Sequence, residues 1–322
     1  MAVFSISEIR KFKRCRQQWD FSAPTRRGLE PKRPKAYHMF GTLFHSALEQ
    51  YYVAGVSEPW VYFAQESQSI LNEWRDTPLY DTLAEEQQMG IYILQAFAKR
   101  WAPRHDDFEV IGAEVRDLVE LPNGHHFTFQ YDGLVERSSG LWLLEHKTTR
   151  GSITGDYAWL QIDDQAAAYQ WAVEKALGIR VVGTIYTYYR KKPPAVPKEL
   201  KGGGLSKAKN IVTTVECYYD EILRRGLNPK HYQDMLQYIA GKEGDDYFRR
   251  VEVLTSEEQR RLIGEQIVAL TTEMGRPDVL VYAAPNQMCE TYCSFFEPCV
   301  AMHTGRNYER MLQEDYEVGG YY

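Results

Sequence analysis

FTFQYDGLVERSSGLWLLEHK, residues 127–147, contains two strand-like segments on either side of the turn signal Ser138-Ser139-Gly140. The alternation of apolar and polar residues predicts an antiparallel β-hairpin. A turn of two residues and a turn of four both place Asp132 directly opposite Glu145. A turn of three residues would shift the register by one and send the two side chains to different faces.

Two carboxylates facing each other across a strand pair repel and destabilise the sheet. A divalent cation between them converts this repulsion into binding, and Mg²⁺ and Mn²⁺ accept such oxygen ligands. Lys147 lies two residues beyond Glu145 and therefore points to the same face. Residues 141–144 are apolar on both faces, which is typical of a central strand. The alternative is an edge hairpin with exposed Asp132, Glu145 and Lys147, which the apolar flanks disfavour.

The rest of the chain alternates between helical and strand-like patterns. We predict helices over residues 5–21, 39–54, 59–74, 84–101, 157–177, 207–225, 230–239 and 257–272. We predict strands over residues 108–120, 125–136, 141–148, 181–189 and 247–254. Helices followed by a β-β-β-α-β order predict an α/β or α+β fold with a mixed sheet. The last residues, to 322, have a pattern typical of weak order.

Composition limits the class of protein. Of the 322 residues, 44% are hydrophobic and 25% charged, a soluble balance. No apolar run approaches membrane-spanning length, and the beginning of the chain lacks a signal-peptide core, so we expect a cytoplasmic protein, or one in the host cytoplasm if it is phage-encoded. The net charge is −6, yet residues 10–35 hold ten Lys and Arg against two acids, and residues 190–209 hold seven against one. Such segregation suits a surface that binds phosphates, and the alternative is solvated helix faces.

Five cysteines without a signal peptide make a poor disulfide framework. Cys289, Cys293 and Cys299 fall within eleven residues, whereas Cys15 lies in the first predicted helix. Together the four thiolates match the ligand sets of both Zn²⁺ and iron–sulfur clusters, and free thiols are the third possibility. We interpret Cys217 as a buried helix cysteine.

These residues carry a resemblance to a known family. Asp132 followed by Glu145-x-Lys147 on the next strand resembles the signature of the PD-(D/E)XK nucleases. Gly41-Thr-Leu-Phe-His45, on an upstream helix, resembles the G-x-x-x-H element of the RecB-like branch of that superfamily.

Three further matches follow in the family's order along the chain. Glu114 lies in the first strand, where that branch has an acidic residue, and Gln165-x-x-x-Tyr169 resembles its Q-x-x-x-Y motif. Cys15 with the C-terminal triad resembles its iron–sulfur ligands, although three residues instead of the usual two fill the first gap of the triad. The resemblance points to the RecB/AddB-like exonucleases, especially the small CRISPR-associated and phage-encoded ones with an iron–sulfur cluster.

The resemblance implies a restriction-endonuclease-like core with a mixed sheet, an N-terminal helical region and a C-terminal iron–sulfur segment. It implies one nuclease unit over residues 1–322. Its parts are a helical region 1–105 with Cys15 and His45, a catalytic core 106–192, a helical and basic region 193–284, an iron–sulfur triad 285–305 and a tail 306–322.

It also assigns roles to individual residues. The catalytic residues would be Asp132, Glu145, Lys147, Gln165, Tyr169 and Glu114. The ligands of Mg²⁺ or Mn²⁺ would be His45, Asp132, Glu145 and the main-chain carbonyl of His146. A [4Fe–4S] cluster would be held by Cys15, Cys289, Cys293 and Cys299. From the basic blocks, the DNA-binding residues would be Arg14, Arg26, Arg27, Arg190, Lys191 and Lys192.

In this scheme Lys147 orients or deprotonates the attacking water, and a base role requires a lowered pKa. The implied function is a metal-dependent exonuclease acting on single-stranded DNA ends. One alternative is a DNA-processing subunit that is active only with recombination or CRISPR-adaptation proteins. Another is a non-catalytic nucleic-acid-binding protein with a structural metal.

Overall fold

The computed structural model describes residues 1–32, 36–101 and 108–319. The strands are β1 Val3–Ser5, β2 Leu29–Pro31, β3 Glu109–Glu120, β4 His126–Arg137, β5 Gly140–Thr149, β6 Val181–Arg190, β7 Phe248–Leu254 and β8 Tyr316–Val318. The first helices are α1 Ile6–Arg14, α2 Arg16–Ser22, α3 Ala36–Tyr52, α4 Pro59–Glu73, α5 Tyr80–Trp101 and α6 Asp164–Leu177. The later helices are α7 Val215–Arg224, α8 Gln233–Tyr247, α9 Glu257–Met274, α10 Cys289–Tyr292, α11 Phe296–His303 and α12 Tyr308–Asp315.

A six-stranded mixed sheet forms the centre of the molecule. β3 pairs antiparallel with β4 over most of its length, and β4, β5, β6 and β7 follow in that order. β5 and β6 are parallel, as are β1 and β4, whereas the other neighbours are antiparallel. The predicted mixed α/β fold is therefore confirmed.

The β4–β5 hairpin has the tighter of the turns that we considered. Ser138 and Ser139 form it, and Arg137 pairs with Gly140 to close it. Gly140 has a φ of 117°, a conformation that residues with a Cβ rarely adopt. Pairing continues to Gly133 opposite Leu144. The register is the predicted one, and it places Asp132 and Glu145 just beyond the last paired residues.

Helices cover both faces of the sheet. On one face, Phe127 and Leu143 pack with Ala168 of α6 and Ile267 of α9 in the largest apolar cluster. On the other face, the helical region α3–α5 packs against the sheet around Tyr189, in a second cluster. Burying apolar surface on both faces provides most of the driving force for this architecture.

The N-terminal helix differs from its prediction. Ser5 caps α1 and accepts a hydrogen bond from the Glu8 backbone N–H. The helix ends at Cys15, whose φ of −161° and ψ of 109° are extended, and α2 starts one residue later. The spacing Ser5-x-x-Glu8 predicts a capping box, in which the Glu8 side chain would accept from the Ser5 backbone N–H. Instead, the buried Glu8 carboxylate accepts hydrogen bonds from Trp19 and Thr25.

Two other predicted helices begin later than expected. The one over residues 157–177 begins as a short 3-10 helix, Ala158–Ile162, and α6 starts after its N-cap Asp163. The one over residues 207–225 begins only after Thr214, whose hydroxyl accepts a hydrogen bond from the Cys217 N–H. In both cases a capping side chain sets the start of the helix, and apolar spacing does not reveal it.

The predicted weak order at the end of the chain is wrong for the described residues. α12 buries Leu312, and β8 pairs antiparallel with β2 near the other end of the chain. Phe21 of α2, Phe295 and Leu312 form a small apolar cluster that joins the two ends. Among the helices in the described ranges, none has the length and apolarity needed to cross a bilayer.

Candidate metal centre and cysteine pocket

Three predicted site residues from three different elements meet at the end of the hairpin. His45 comes from α3, Glu114 from β3 and Asp132 from β4. The His45 Nδ1 atom lies 3.1 Å from Asp132 Oδ1 and 3.8 Å from Glu114 Oε1. Their ligand atoms all lie within 4.8 Å of one another, a spacing that a single metal ion can bridge.

Glu114 reaches this position through an unusual backbone conformation. Its φ is 49°, in the left-handed region, and the residues on either side of it pair with Gly133 and Tyr131. Glu114 therefore lies across from Asp132, and its Oε2 accepts a hydrogen bond of 2.6 Å from Gln130. Such a conformation costs a residue with a Cβ on the order of 1 kcal/mol or more, and it often occurs at functional sites.

Glu145 is buried beside this group, with 5% of its surface exposed. Its Oε1 accepts hydrogen bonds from the Lys147 ammonium and, at 2.9 Å, from Gln165 Nε2. Burial and the charge of Asp132 raise the pKa of Glu145 to about 7, against the opposing effect of Lys147. Asp132, Glu145 and Lys147 thus come together as the sequence predicted.

His146 holds the Asp132 carboxylate in place through its backbone. Its backbone N–H donates to Asp132 Oδ2 at 2.5 Å, and its ring Nδ1 lies 3.0 Å from the Tyr189 hydroxyl. The imidazole stacks on the ring of Tyr52, with the ring centres 5.8 Å apart. Burial lowers the pKa of His146 to about 3, so the ring is neutral. The proposed ligand role of its main-chain carbonyl stays a prediction.

The charges around the centre balance one another. Burial alone would lower the pKa of His45, but Asp132 and the neighbouring glutamates outweigh it and raise this pKa to about 9. Burial works against ionisation of Asp132, yet His45 and the His146 backbone hold its pKa at about 2. Without a metal ion, His45 is therefore protonated and its positive charge faces the carboxylates. The donor set fits a divalent ion that would replace this proton.

Lys147 carries its charge in this environment. Burial opposes the charged form, but the adjoining Glu145 outweighs it and raises the pKa of Lys147 above its ordinary value. The pKa shift is thus opposite in direction to the one that the predicted role as a general base requires. The geometry supports the other predicted role, because a charged ammonium can orient a water and stabilise negative charge.

The N-terminus of α6 presents the other two motif residues. Gln165 contacts Glu145, while the half-buried Tyr169 packs against the large apolar cluster one turn later. Burial and the charge of Glu145 raise the pKa of the Tyr169 hydroxyl, so it remains protonated. Both residues are close to the metal centre, as the motif implied.

The predicted DNA-binding residues are spread over two surfaces. Near the chain ends, Arg26 pairs with Asp20, and Arg27 makes two hydrogen bonds to Glu309. Arg14, on the same surface, donates to Gln18. In the second group, Arg190 is the last residue of β6, and Lys191 and Lys192 follow it.

Of this second group, Lys191 is nearly buried and pairs with the buried Glu86 at 3.2 Å. Glu86 also binds Arg150. The charges of Arg27 and Lys191 are therefore paired with carboxylates of this chain. A role of the six residues in DNA binding stays a prediction.

The four predicted cluster cysteines line one cavity of about 280 Å³. Cys15 enters it from the α1–α2 junction, and the other three come from α10, α11 and the loop between them. Two backbone N–H groups point at sulfur: Ala284 N lies 3.4 Å from Cys15 Sγ, and Asn286 N lies 3.3 Å from Cys289 Sγ. Cys217 lies elsewhere, on α7. The structure therefore gathers the four thiols and leaves out the fifth.

Two residues that contact the site were missed in the sequence. Asp163 caps α6 and accepts hydrogen bonds from the backbone N–H groups of Gln165 and Ala166. Arg10 of α1 donates to Asp163 and to the Gln165 amide oxygen. Asp163 could have been recognised as an N-cap residue, whereas no local pattern links Arg10 to partners more than 150 residues away.

Comparisons with known proteins identify the superfamily of the chain. No curated protein matches the chain. Among solved structures, the crystal structure of SSO0001 is 12% identical with a TM-score of 0.31, over 80% of this chain and 94% of that one. The sequence profile of the PD-(D/E)XK nuclease superfamily matches residues 3–300, a span that includes the metal centre and the four cysteines of the pocket. The chain therefore belongs to the PD-(D/E)XK nuclease superfamily, whose members are metal-dependent nucleases.

Proposed function

We propose that this protein is a DNA exonuclease of the RecB/AddB-like branch that uses Mn²⁺ or Mg²⁺ and degrades single-stranded DNA from its ends. The observation that carries the proposal is the meeting of His45, Glu114 and Asp132 beside the buried pair of Glu145 and Lys147. A site with an imidazole and several carboxylates favours Mn²⁺ over Mg²⁺, because Mg²⁺ prefers an all-oxygen shell. Glu145 and the carbonyl of His146 would complete the ligand set.

Hydrolysis of a phosphodiester needs an aligned water and relief of the charge that develops on the phosphate. When bound, the metal ion supplies Lewis-acid charge and a more acidic water. Lys147, charged and held by Glu145, donates hydrogen bonds to the attacking water or a phosphate oxygen. Gln165 and Tyr169 lie at the same edge and position the DNA backbone. The preference for single-stranded ends comes from the resemblance to the RecB/AddB-like branch.

The test uses 5′-labelled and 3′-labelled single strands, a matched duplex and a circular single strand, each with Mn²⁺ or with EDTA. Wild type should shorten the linear single strands and leave the circle intact. Lys147→Met should reduce the rate by a factor of about 100 or more, in the range reported for the loss of one electrostatic contact to the transition state. Equal rates in wild type and Lys147→Met would remove the role of Lys147, and rapid nicking of the circle would contradict exonuclease action.

We further propose that the cysteine pocket holds a structural [4Fe–4S] cluster. Four sulfurs bound to a single Zn²⁺ at about 2.3 Å would lie roughly 3.8 Å apart. Over residues 1–32, 36–101 and 108–319, no three of the thiol sulfurs lie within 4.8 Å of one another. This wider spacing, the cavity volume and the two N–H groups that point at sulfur favour a larger group with several iron atoms.

The cluster is tested on protein purified without oxygen. We expect a brown preparation with broad visible absorption and about four iron and four sulfide per chain. Cys299→Ser should lose this absorption, whereas Cys217→Ser, outside the pocket, should keep it. A colourless wild-type protein containing one zinc per chain would contradict the proposal.

A further inference from the structure

We propose that Arg10 is a positioning residue for the metal centre, because its guanidinium fixes the Gln165 amide in the orientation that supports Glu145. This inference rests on the function proposed above and adds a residue to its site. Three hydrogen bonds of Arg10 join α1 to the N-terminus of α6, and one hydrogen bond of Gln165 joins α6 to β5.

Arg10 projects from the middle of α1 toward the N-terminus of α6. Its Nη2 donates to Asp163 Oδ1 at 2.7 Å, its Nη1 donates to Gln165 Oε1 at 3.2 Å, and its Nε donates to Asp164. The Arg10 side chain is 34% exposed, whereas Asp163 and Asp164 are more deeply buried. The planar guanidinium satisfies three acceptors at once, which a lysine at this position cannot do.

Gln165 is held at two points by this arrangement. Asp163 Oδ1, fixed by Arg10, accepts from the Gln165 backbone N–H at 2.9 Å. The Gln165 side chain accepts from Arg10 through Oε1 and donates to Glu145 Oε1 through Nε2, at 2.9 Å. Arginine can only donate hydrogen bonds and an ionised carboxylate can only accept them, so the two neighbours together determine which way the amide points.

Loss of Arg10 would remove one of the two neighbours that fix this orientation, and Gln165 Oε1 would lose this donor. With the amide rotated by half a turn, its oxygen would face the Glu145 carboxylate and repel it. Glu145 would then lose the hydrogen bond from Gln165 and keep the one from Lys147. Partners that orient metal ligands from outside commonly change metal affinity by a factor of about 10–100 when they are removed.

Lys13 provides a matched control on the same helix. Its Nζ lies 2.9 Å from Asp164 Oδ2, so it also ties α1 to the start of α6. Its ammonium donates a hydrogen bond to Asp164 and not to Gln165. A variant at Lys13 therefore weakens the attachment of the helix without touching the Gln165 amide.

The experiment measures Mn²⁺ binding to the full chain by the electron paramagnetic resonance signal of free Mn²⁺, together with the urea midpoint. We expect Arg10→Met to raise the dissociation constant of Mn²⁺ by a factor of about 10 or more. Lys13→Met should leave it within a factor of about two, and Arg10→Lys should restore part of the loss. An unchanged dissociation constant in Arg10→Met, or an equal loss in Lys13→Met, would overturn the proposal.

A double-mutant cycle separates positioning from general stability. If Arg10 acts through Gln165, Arg10→Met should have little further effect on Mn²⁺ binding in a Gln165→Met background, so the two losses should not add. Additive losses would show that Arg10 acts by another route and would overturn the proposal. Wild-type protein that neither binds Mn²⁺ nor cleaves DNA would instead count against the proposed function itself.

Discussion

At the scale of single residues, the centre keeps two neighbouring carboxyl groups in different states. Asp132 has a pKa of about 2 because His45 and a backbone N–H stabilise its charge despite burial. Glu145 has a pKa of about 7 because burial and the charge of Asp132 resist its ionisation. A divalent ion relieves both conditions at once, since it attracts each carboxylate and displaces the proton of His45.

Metal affinity should therefore depend on pH. The pKa of His45 is raised from 6.5 to about 9, so the charged imidazole stabilises the metal-free fold below pH 6.5, and this contribution is lost as the pH rises through 9. Mn²⁺ must displace that proton, so its affinity should rise between pH 7 and 9 by up to about tenfold per pH unit.

Titration under argon at constant ionic strength measures this dependence. His45→Asn is the control, because its amide has no proton to displace, and its slope above pH 7.5 should be flat. A wild-type affinity that does not change between pH 7 and 9 would contradict the assignment of His45 as a ligand.

At the scale of elements, local features were predictable from the residue pattern, whereas distant contacts were predictable only where the family resemblance implied them. The hairpin register followed from a two-residue turn, which brings the motif residues of β4 and β5 together, whereas residues 150–163 connect β5 to α6. β1 was missed because three residues carry no periodic signal, and its partner strand lies more than 120 residues further along the chain. The link from Arg10 to Asp163 spans 153 residues and was missed for the same reason.

Strand β6 gives a test of the packing within the sheet. A Cβ at Gly183 would lie 2.5 Å from the Val253 carbonyl oxygen and 2.7 Å from the ring of Trp142. Gly183→Ala should lower the free energy of unfolding by about 1–3 kcal/mol, since neither the backbone nor the ring can move away easily. Urea denaturation measures the change.

The matched control for this substitution is Gly241→Ala on α8, where an added Cβ meets no atom within 4 Å. Alanine is the better helix former, so this variant should gain about 0.5–1 kcal/mol. If the two variants had equal stability, the close packing of β6 against β7 would be wrong.

At the scale of the whole molecule, the two ends of the chain are joined by side chains as well as by the cysteine pocket. Phe21 of α2 packs against Phe295, with ring centres 5.4 Å apart, and against Tyr308. β2 pairs with β8, and Arg27 binds Glu309. These contacts do not depend on the thiols, so the C-terminal segment should stay docked on α2 even when the thiols hold no metal.

Phe21→Ala should undo this docking. The side chain is 1% exposed, and its truncation should cost about 3–5 kcal/mol. We expect a lower melting temperature and rapid proteolysis within residues 285–318. Tyr292→Ala is the control, because that side chain is 64% exposed and its loss should change little. Resistance to protease equal to wild type would show that other contacts hold the segment.

The end of pairing between β4 and β5 has one more consequence. Beyond Gly133 and Leu144 the two strands separate, like the arms of a fork, and β5 stays paired with β6. Because the strands separate, the His146 backbone N–H is available to donate to the Asp132 carboxylate. In a continuous antiparallel ladder, this N–H would donate to a backbone carbonyl of β4 instead. Pairing of one more residue of β4 with β5 would therefore compete with binding of an ion. The site for a cation exists at the centre of the sheet because the pairing of β4 with β5 ends there.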